Sequence, residues 1–301
     1  MRAIRTITDD DQSGRESVSE LLSHRVPRRR VETALEETVL DNRFTIAVTF
    51  PLVGVALLIA GRYELLPPEL ATNPYLIIAA NLVMVSPLIA GLLPVLTRRA
   101  LAGLGALALF TWGIELTGVL TGYPYGEFSY QLDLGPMLFD LVPLGLPVFY
   151  FPILLNSFLL VLLFAGEASL PRRFALTLAC VVTLDLILDP GAVALGFWAW
   201  DSPGLYYGVP AINYAGWVLS GAVAVSLLHL AFDRETLRRR LATCPFLLDD
   251  LVSFLLFWGL VNLYFGNWVP FALALGLAGV LVRSDWFDFD VLPARARLPS
   301  R

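Results

Sequence analysis

The chain reads as an all-α, polytopic transmembrane helix bundle of about eight spans with both termini cytoplasmic. Three observations predict it. The chain is 57% apolar with a mean hydropathy of +0.69, too greasy for a soluble domain of 301 residues. Long apolar runs recur along it, at roughly 44–61, 75–96, 101–121, 137–165, 174–194, 212–232, 247–265 and 268–282. All 21 basic residues are Arg, and with eight spans and the N-terminus inside, 20 of them fall on the inner side, leaving only Arg62 outside. A seven-span count would put Arg283 and the three Arg residues after it on the wrong side.

Residues 1–43 form a polar cytoplasmic tail with nine acids and eight Arg. Its composition predicts a disordered start, and Val31, Leu35 and Val39 at helical spacing after Pro27 predict a short surface helix. No basic n-region followed by a short apolar stretch precedes Phe44, so the first span is expected to act as an uncleaved anchor. Residues 44–282 are the expected transmembrane catalytic bundle. Its fourth span, 137–165, is overlong and carries Pro143, Pro147 and Pro152, which predicts a kink or a partly re-entrant segment. Residues 283–301 form a second cytoplasmic tail. The net charge of −5 and the absence of Lys give no sign of nucleic-acid binding.

Cys180 and Cys244 fall at different depths and form no motif, and His24 and His229 have no partner that suggests a metal site or a triad. No metal ligand set is expected.

Acids inside spans are the costly feature. A charged Asp at the centre of a membrane helix costs ~2.5–3.5 kcal/mol, and Glu115, Asp140, Asp185 and Asp189 all fall in predicted spans. The four together cost ~10 kcal/mol, comparable with the stability of a whole domain. Such acids mark a site or a pathway more often than a packing device.

Asp185 and Asp189 stand four residues apart, so they share a helix face with Cβ atoms ~5–6 Å apart. Two carboxylates that close in an apolar setting do not both ionise cheaply, so one is expected to hold a proton at neutral pH. Pro190 is expected to end or kink the helix there, leaving Asp189 at the negative end of a helix dipole. A protonated acid facing an apolar cavity is a good proton donor. The outer helix halves and loops are rich in Trp, Tyr, Asn and Pro, which places the chemistry near the outer face; about half of these aromatics suit an interfacial belt equally well.

Four motifs in order give a resemblance. They are Gly113-Ile114-Glu115-Leu116-Thr117-Gly118 with Tyr123-Pro124-Tyr125-Gly126; Leu134-Gly135-Pro136 with Val142-Pro143; Asp185-Leu186-Ile187-Leu188-Asp189-Pro190 with Gly196-Phe197-Trp198-Ala199-Trp200; and Tyr206-Tyr207-Gly208-Val209-Pro210 with Asn213-Tyr214-Ala215-Gly216-Trp217. Over roughly Ala102 to Gly221 the chain resembles the carotenoid 1',2'- and 2'',3''-hydratase family, whose archaeal members are bisanhydrobacterioruberin hydratases. The resemblance implies a multi-pass cell-membrane enzyme that adds water, without a cofactor, across the terminal C=C bonds of a C50 carotenoid. It implies as partners that carotenoid or isoprenoid lipid, membrane lipids and other membrane enzymes of the carotenoid pathway.

Hydrating a trisubstituted alkene needs an acid for the less substituted carbon, stabilisation of the tertiary cation, and a held water to capture it. On physical grounds Asp189 is the expected proton donor, tuned or held by Asp185. Glu115 would hold the water, with Asn213 or Tyr125. Trp198, Trp200 or Trp112 would offer a ring face to the cation. Asp140 is a further catalytic candidate, and Tyr207 and Trp217 are further substrate-binding candidates. Two other readings stay open. Asp185 and Asp189 could bind Mg²⁺ and a diphosphate in a prenyltransferase, although Asp249-Asp250-Leu251-Val252-Ser253 lacks a closing acid and no Arg stands near the pair. The acids could instead relay protons in a transporter or lipid-binding protein.

Overall fold

The computed structural model describes residues 28–71 and 73–284; the expected disordered start and most of the second tail lie outside them. The chain opens with helix α1 (Arg28–Asp41). Six helices then follow that are long and apolar enough to cross a membrane: α2 (Thr45–Arg62), α3 (Pro74–Val95), α4 (Arg98–Thr121), α5 (Leu146–Ala165), α6 (Leu170–Leu195) and α7 (Ala211–Ala231). A polar helix, α8 (Arg234–Thr243), precedes α9 (Asp249–Phe265) and α10 (Trp268–Arg283). These last two coincide with the seventh and eighth expected spans. At 17 and 16 residues they reach only about 26 and 24 Å, short of a full hydrocarbon core.

The fourth expected span is corrected at its start. Residues 137–145 are not helical: β2 (Met137–Leu138) pairs antiparallel with β3 (Val142–Pro143), and α5 begins at Leu146. Pro143 and Gly145 break the run that composition alone joined to the helix. A second ribbon pairs β1 (Phe128–Tyr130) with β4 (Trp198–Trp200), setting Phe128 opposite Trp200 and Tyr130 opposite Trp198. It ties the α4–α5 connection to the end of α6.

Helix α5 is the hub. Two-thirds (67%) of its apolar window is buried, against 17% for α4 and 22% for α2, so α5 is wrapped by other helices while α4 and α2 turn most of their surface outward. Leu154, Leu159, Val181, Leu184, Ile187, Leu228 and Leu251 form the centre of the core around it.

Prolines inside spans free backbone carbonyls that lipid cannot satisfy, and nearby side chains take them up. Pro87 leaves the Val83 carbonyl, to which Ser86 Oγ donates at 2.7 Å. Pro152 leaves the Val148 carbonyl, to which Asn81 donates at 3.0 Å.

At the Arg-rich end the ends of the helices are tied by charge. Arg28 donates to the carbonyls of Leu93 (2.7 Å) and Leu96 (3.1 Å), capping α3. Arg240 donates to the Gly91 carbonyl and pairs with Glu36 of α1. Arg43 clamps the buried Asp249 at 2.6 and 2.9 Å. Helix α1 therefore docks on the bundle; it buries Val39, while Val31 and Leu35 stay exposed.

Candidate active site

Helix α6 carries both members of the acid pair, and it does not end at Pro190. It runs on to Leu195 and stops at Gly196, whose left-handed backbone (φ 83°) closes the last turn. Three side chains make this continuation possible. The Leu186 carbonyl freed by Pro190 accepts from the Tyr206 hydroxyl at 3.2 Å. The next carbonyl, of Ile187, accepts from Asn262 at 2.7 Å, and the Pro190 carbonyl accepts from Asn267 at 3.2 Å. Asp189 thus sits inside the helix, and the expectation that a helix end disfavours its charge does not apply, because that effect is confined to the last turn.

Asn213, in the first turn of α7, binds the two acids together. Its Nδ2 donates to Asp189 Oδ2 at 2.5 Å and to Asp185 Oδ2 at 3.3 Å. Asp185 is fully buried, with Oδ1 unpartnered, and has no surface on the cavity described below. Asp189 does face that cavity, so of the pair it is Asp189 that can touch a bound molecule. Sequence reasoning offered Asn213 or Tyr125 as the partner of Glu115 in holding water; the Asn213 amide lies on the same cavity as Glu115 and bonds the dyad.

Glu115 of α4 approaches the same cavity from across the bundle, close enough for its charge to act on Asp189. It accepts a hydrogen bond from the Tyr130 hydroxyl. Burial first, and the adjacent Glu115 second, push the Tyr130 phenol well above the ordinary tyrosine range, so it remains a donor.

The cavity has a volume of about 510 Å³, within the range of small-molecule sites. Besides Glu115 and Asp189, its polar end is lined by Tyr125, Tyr130, Tyr150, Trp198, Trp200, Asn213 and Trp217. Tyr125 is wedged between Gly118 and Gly216: a Cβ on Gly216 would come within 2.6 Å of its ring, and one on Gly118 within 3.0 Å. The Trp200 indole N–H donates to the Tyr125 carbonyl at 2.9 Å, and Trp217 stacks on Tyr150 with ring centres 5.2 Å apart. Aliphatic and aromatic side chains make most of the remaining wall, and none of the lining residues is Arg or His. Among the described residues no three His, Cys, Asp or Glu side chains gather in a way that could hold a metal ion.

Three candidates fall elsewhere. Asp140 is not in a span at all: it sits exposed in the turn between β2 and β3 with φ 59°, in solvated backbone rather than an apolar run. Trp112 lies on α4 one turn before Glu115 but does not reach the cavity, and its indole nitrogen is unpartnered. Tyr207 also stays off the wall; its hydroxyl accepts from the Val269 backbone N–H at 3.2 Å.

Sequence reasoning missed Tyr130, Tyr150 and Asp250. Tyr130 lies five residues past Tyr125 in the same aromatic loop, which was a usable signal. Tyr150 had none, since one Tyr in an apolar helix reads as core. Asp250 is buried on the cavity wall near its far end, about 12 Å along α9 from Trp258, and accepts from Asn156 at 2.6 Å.

Residues 72–281 match the family described as carotenoid biosynthesis protein. The chain is 57% identical over 259 residues to the bisanhydrobacterioruberin hydratase of Haloarcula japonica, covering 85% of this chain and 88% of that protein. No solved structure matches it. The matched stretch takes in every helix that contributes to the polar end of the cavity, and the chain belongs to the carotenoid biosynthesis protein family.

Proposed function

We propose that this protein is a carotenoid hydratase that adds water to the terminal C=C bonds of a C50 carotenoid, converting bisanhydrobacterioruberin to bacterioruberin. One observation carries the reading: a buried acid pair, joined by Asn213, presents the Asp189 carboxyl to an apolar, aromatic-walled cavity with a second acid opposite. It is an arrangement for delivering a proton to a hydrocarbon.

In this mechanism the alkene π electrons take the proton of Asp189 at the less substituted terminal carbon. The charge appears on the carbon bearing the methyl groups, where the faces of Trp198 and Trp217 stabilise it. A water held at Glu115 attacks that carbon, forming the C–O bond. Its surplus proton passes to Glu115 and returns to the dyad, so one water is consumed and nothing else. Tyr130 holds the Glu115 carboxyl in place, and Asp185 and Asn213 hold Asp189. The aromatic walls limit water to the molecule that reacts.

The reading includes a cell-membrane location with both termini cytoplasmic, a bundle from 44 to 282 between two tails, and other carotenoid-pathway membrane enzymes as neighbours that supply the lipid. The direct test is conversion by purified protein in D2O. The product should carry one deuterium on the carbon beside the new carbinol. Cells lacking the protein should accumulate the unhydrated pigment; normal hydroxylated pigment in such cells would refute the assignment.

A further inference from the structure

The residues lining the cavity divide sharply by exposure. Those supplied by α5, α6, α7 and α9 are buried or half-buried. The exposed ones, Leu57 (50%), Leu70 (59%), Leu76 (48%), Ala79 and Val83 (36%), all lie on α2, on α3 or in their short connection. The cavity therefore opens to the outside of the bundle between α2 and α3. Every one of these exposed residues is apolar, and on spanning helices such a surface faces lipid chains rather than water.

Both water-facing ends are covered. At one end the β1–β4 ribbon lays Phe128, Trp198 and Trp200 over the polar group. At the other, the Asp250–Asn156 hydrogen bond and the neighbouring Arg43–Asp249 ion pair close the bundle. Size points the same way. A cavity of about 510 Å³ holds a drug-sized group, whereas a C50 polyene is about as long as the ~30 Å hydrocarbon core. Most of the substrate must stay outside the protein while one end reacts, and the only solvent for that part is the bilayer.

We infer that the polyene reaches Asp189 end-on from the bilayer through the gap between α2 and α3, with the rest of its chain left among the lipids, and that the hydrated end withdraws by the same route. This rests on the hydratase reading above.

The test places Trp at the gap in two variants, Leu57→Trp and Ala79→Trp. Leu52→Trp and Leu82→Trp serve as controls; both positions are exposed on the same helices but lie off the cavity wall. Each is assayed in lipid vesicles with the C50 carotenoid and with a short isoprenoid alkene bearing the same end group. For the long substrate, kcat/KM should fall at least ~10-fold in the gap variants, since its chain must lie in the gap while its end reacts, whereas a short alkene fits wholly inside the cavity and leaves the gap empty. The controls, and the short alkene in every variant, should change by less than about twofold. Gap variants that match the controls on the long substrate would overturn the inference. So would equal loss of long and short substrates in folded gap variants, which would put the effect in the reacting centre. Asp189→Asn keeps these failures apart from failure of the hydratase reading, because it should lower conversion of both substrates at least ~100-fold with the gap untouched.

Discussion

Replacing Asp189 by Asn separates proton delivery from packing. In the structure Asp189 Oδ2 accepts from Asn213, and the amide oxygen of an Asn there can accept the same bond. What vanishes is the acidic proton. A positioned general acid contributes ~10²- to 10⁴-fold, or about 2.7–5.4 kcal/mol of barrier. Hydration by purified Asp189→Asn should therefore fall at least ~100-fold. Against that, the Asn213 amide keeps a neutral acceptor in place of the neutral carboxyl, so the exchange costs at most about 1 kcal/mol and folding should survive. The assay extracts pigment after timed incubation, resolves alkene, mono-alcohol and di-alcohol by chromatography, and normalises to folded protein by thermal melting in detergent. Asp185→Asn should be milder, because Asp185 has no cavity surface. Turnover by Asp189→Asn within about threefold of wild type would remove it as the acid and shift the role to Glu115. Loss of folded protein would make the dyad a packing device.

Four further outcomes are expected. Tyr130→Phe removes the hydrogen bond to Glu115 and should lower hydration ~10-fold or more while the protein still incorporates deuterium from D2O into unreacted alkene; loss of that exchange would mean Tyr130 serves the protonation step instead. Tyr206→Phe leaves the Leu186 carbonyl unpaired and should cost about 1 kcal/mol, read as a lower Tm; an unchanged Tm would mean another group takes up that carbonyl. In a background without Cys180 and Cys244, Leu205→Cys should label from outside intact cells and Arg239→Cys should not; equal labelling would reverse or break the Arg-derived topology. At low conversion a mono-alcohol should precede the di-alcohol, since one site reaches one end at a time; di-alcohol with no trace of mono-alcohol would refute this.

The apolar composition of the chain was enough to establish a helical membrane bundle, because in lipid a helix satisfies every polar backbone group within its own segment. The face shared by Asp185 and Asp189 was equally legible, since i, i+4 spacing is a local property of a helix. The aromatic, Gly- and Pro-rich loops around Glu115 and Trp198 also stood out as a concentration of polar groups with no place in lipid. Beyond that, local rules ran out. Asp140 and Asp189 both follow apolar residues in sequence, yet one lies in an exposed hairpin turn and the other on a cavity wall. Pro190 reads as a helix end, and it is not one because Tyr206, Asn262 and Asn267, brought in by other segments, take up the carbonyls around it. Spanning helices are apolar on every side, so no periodicity tells which face meets lipid and which meets protein. Only the packing of α2, α3 and α5 around one another decided where the cavity opens, and only the β1–β4 ribbon brought Tyr130 to Glu115.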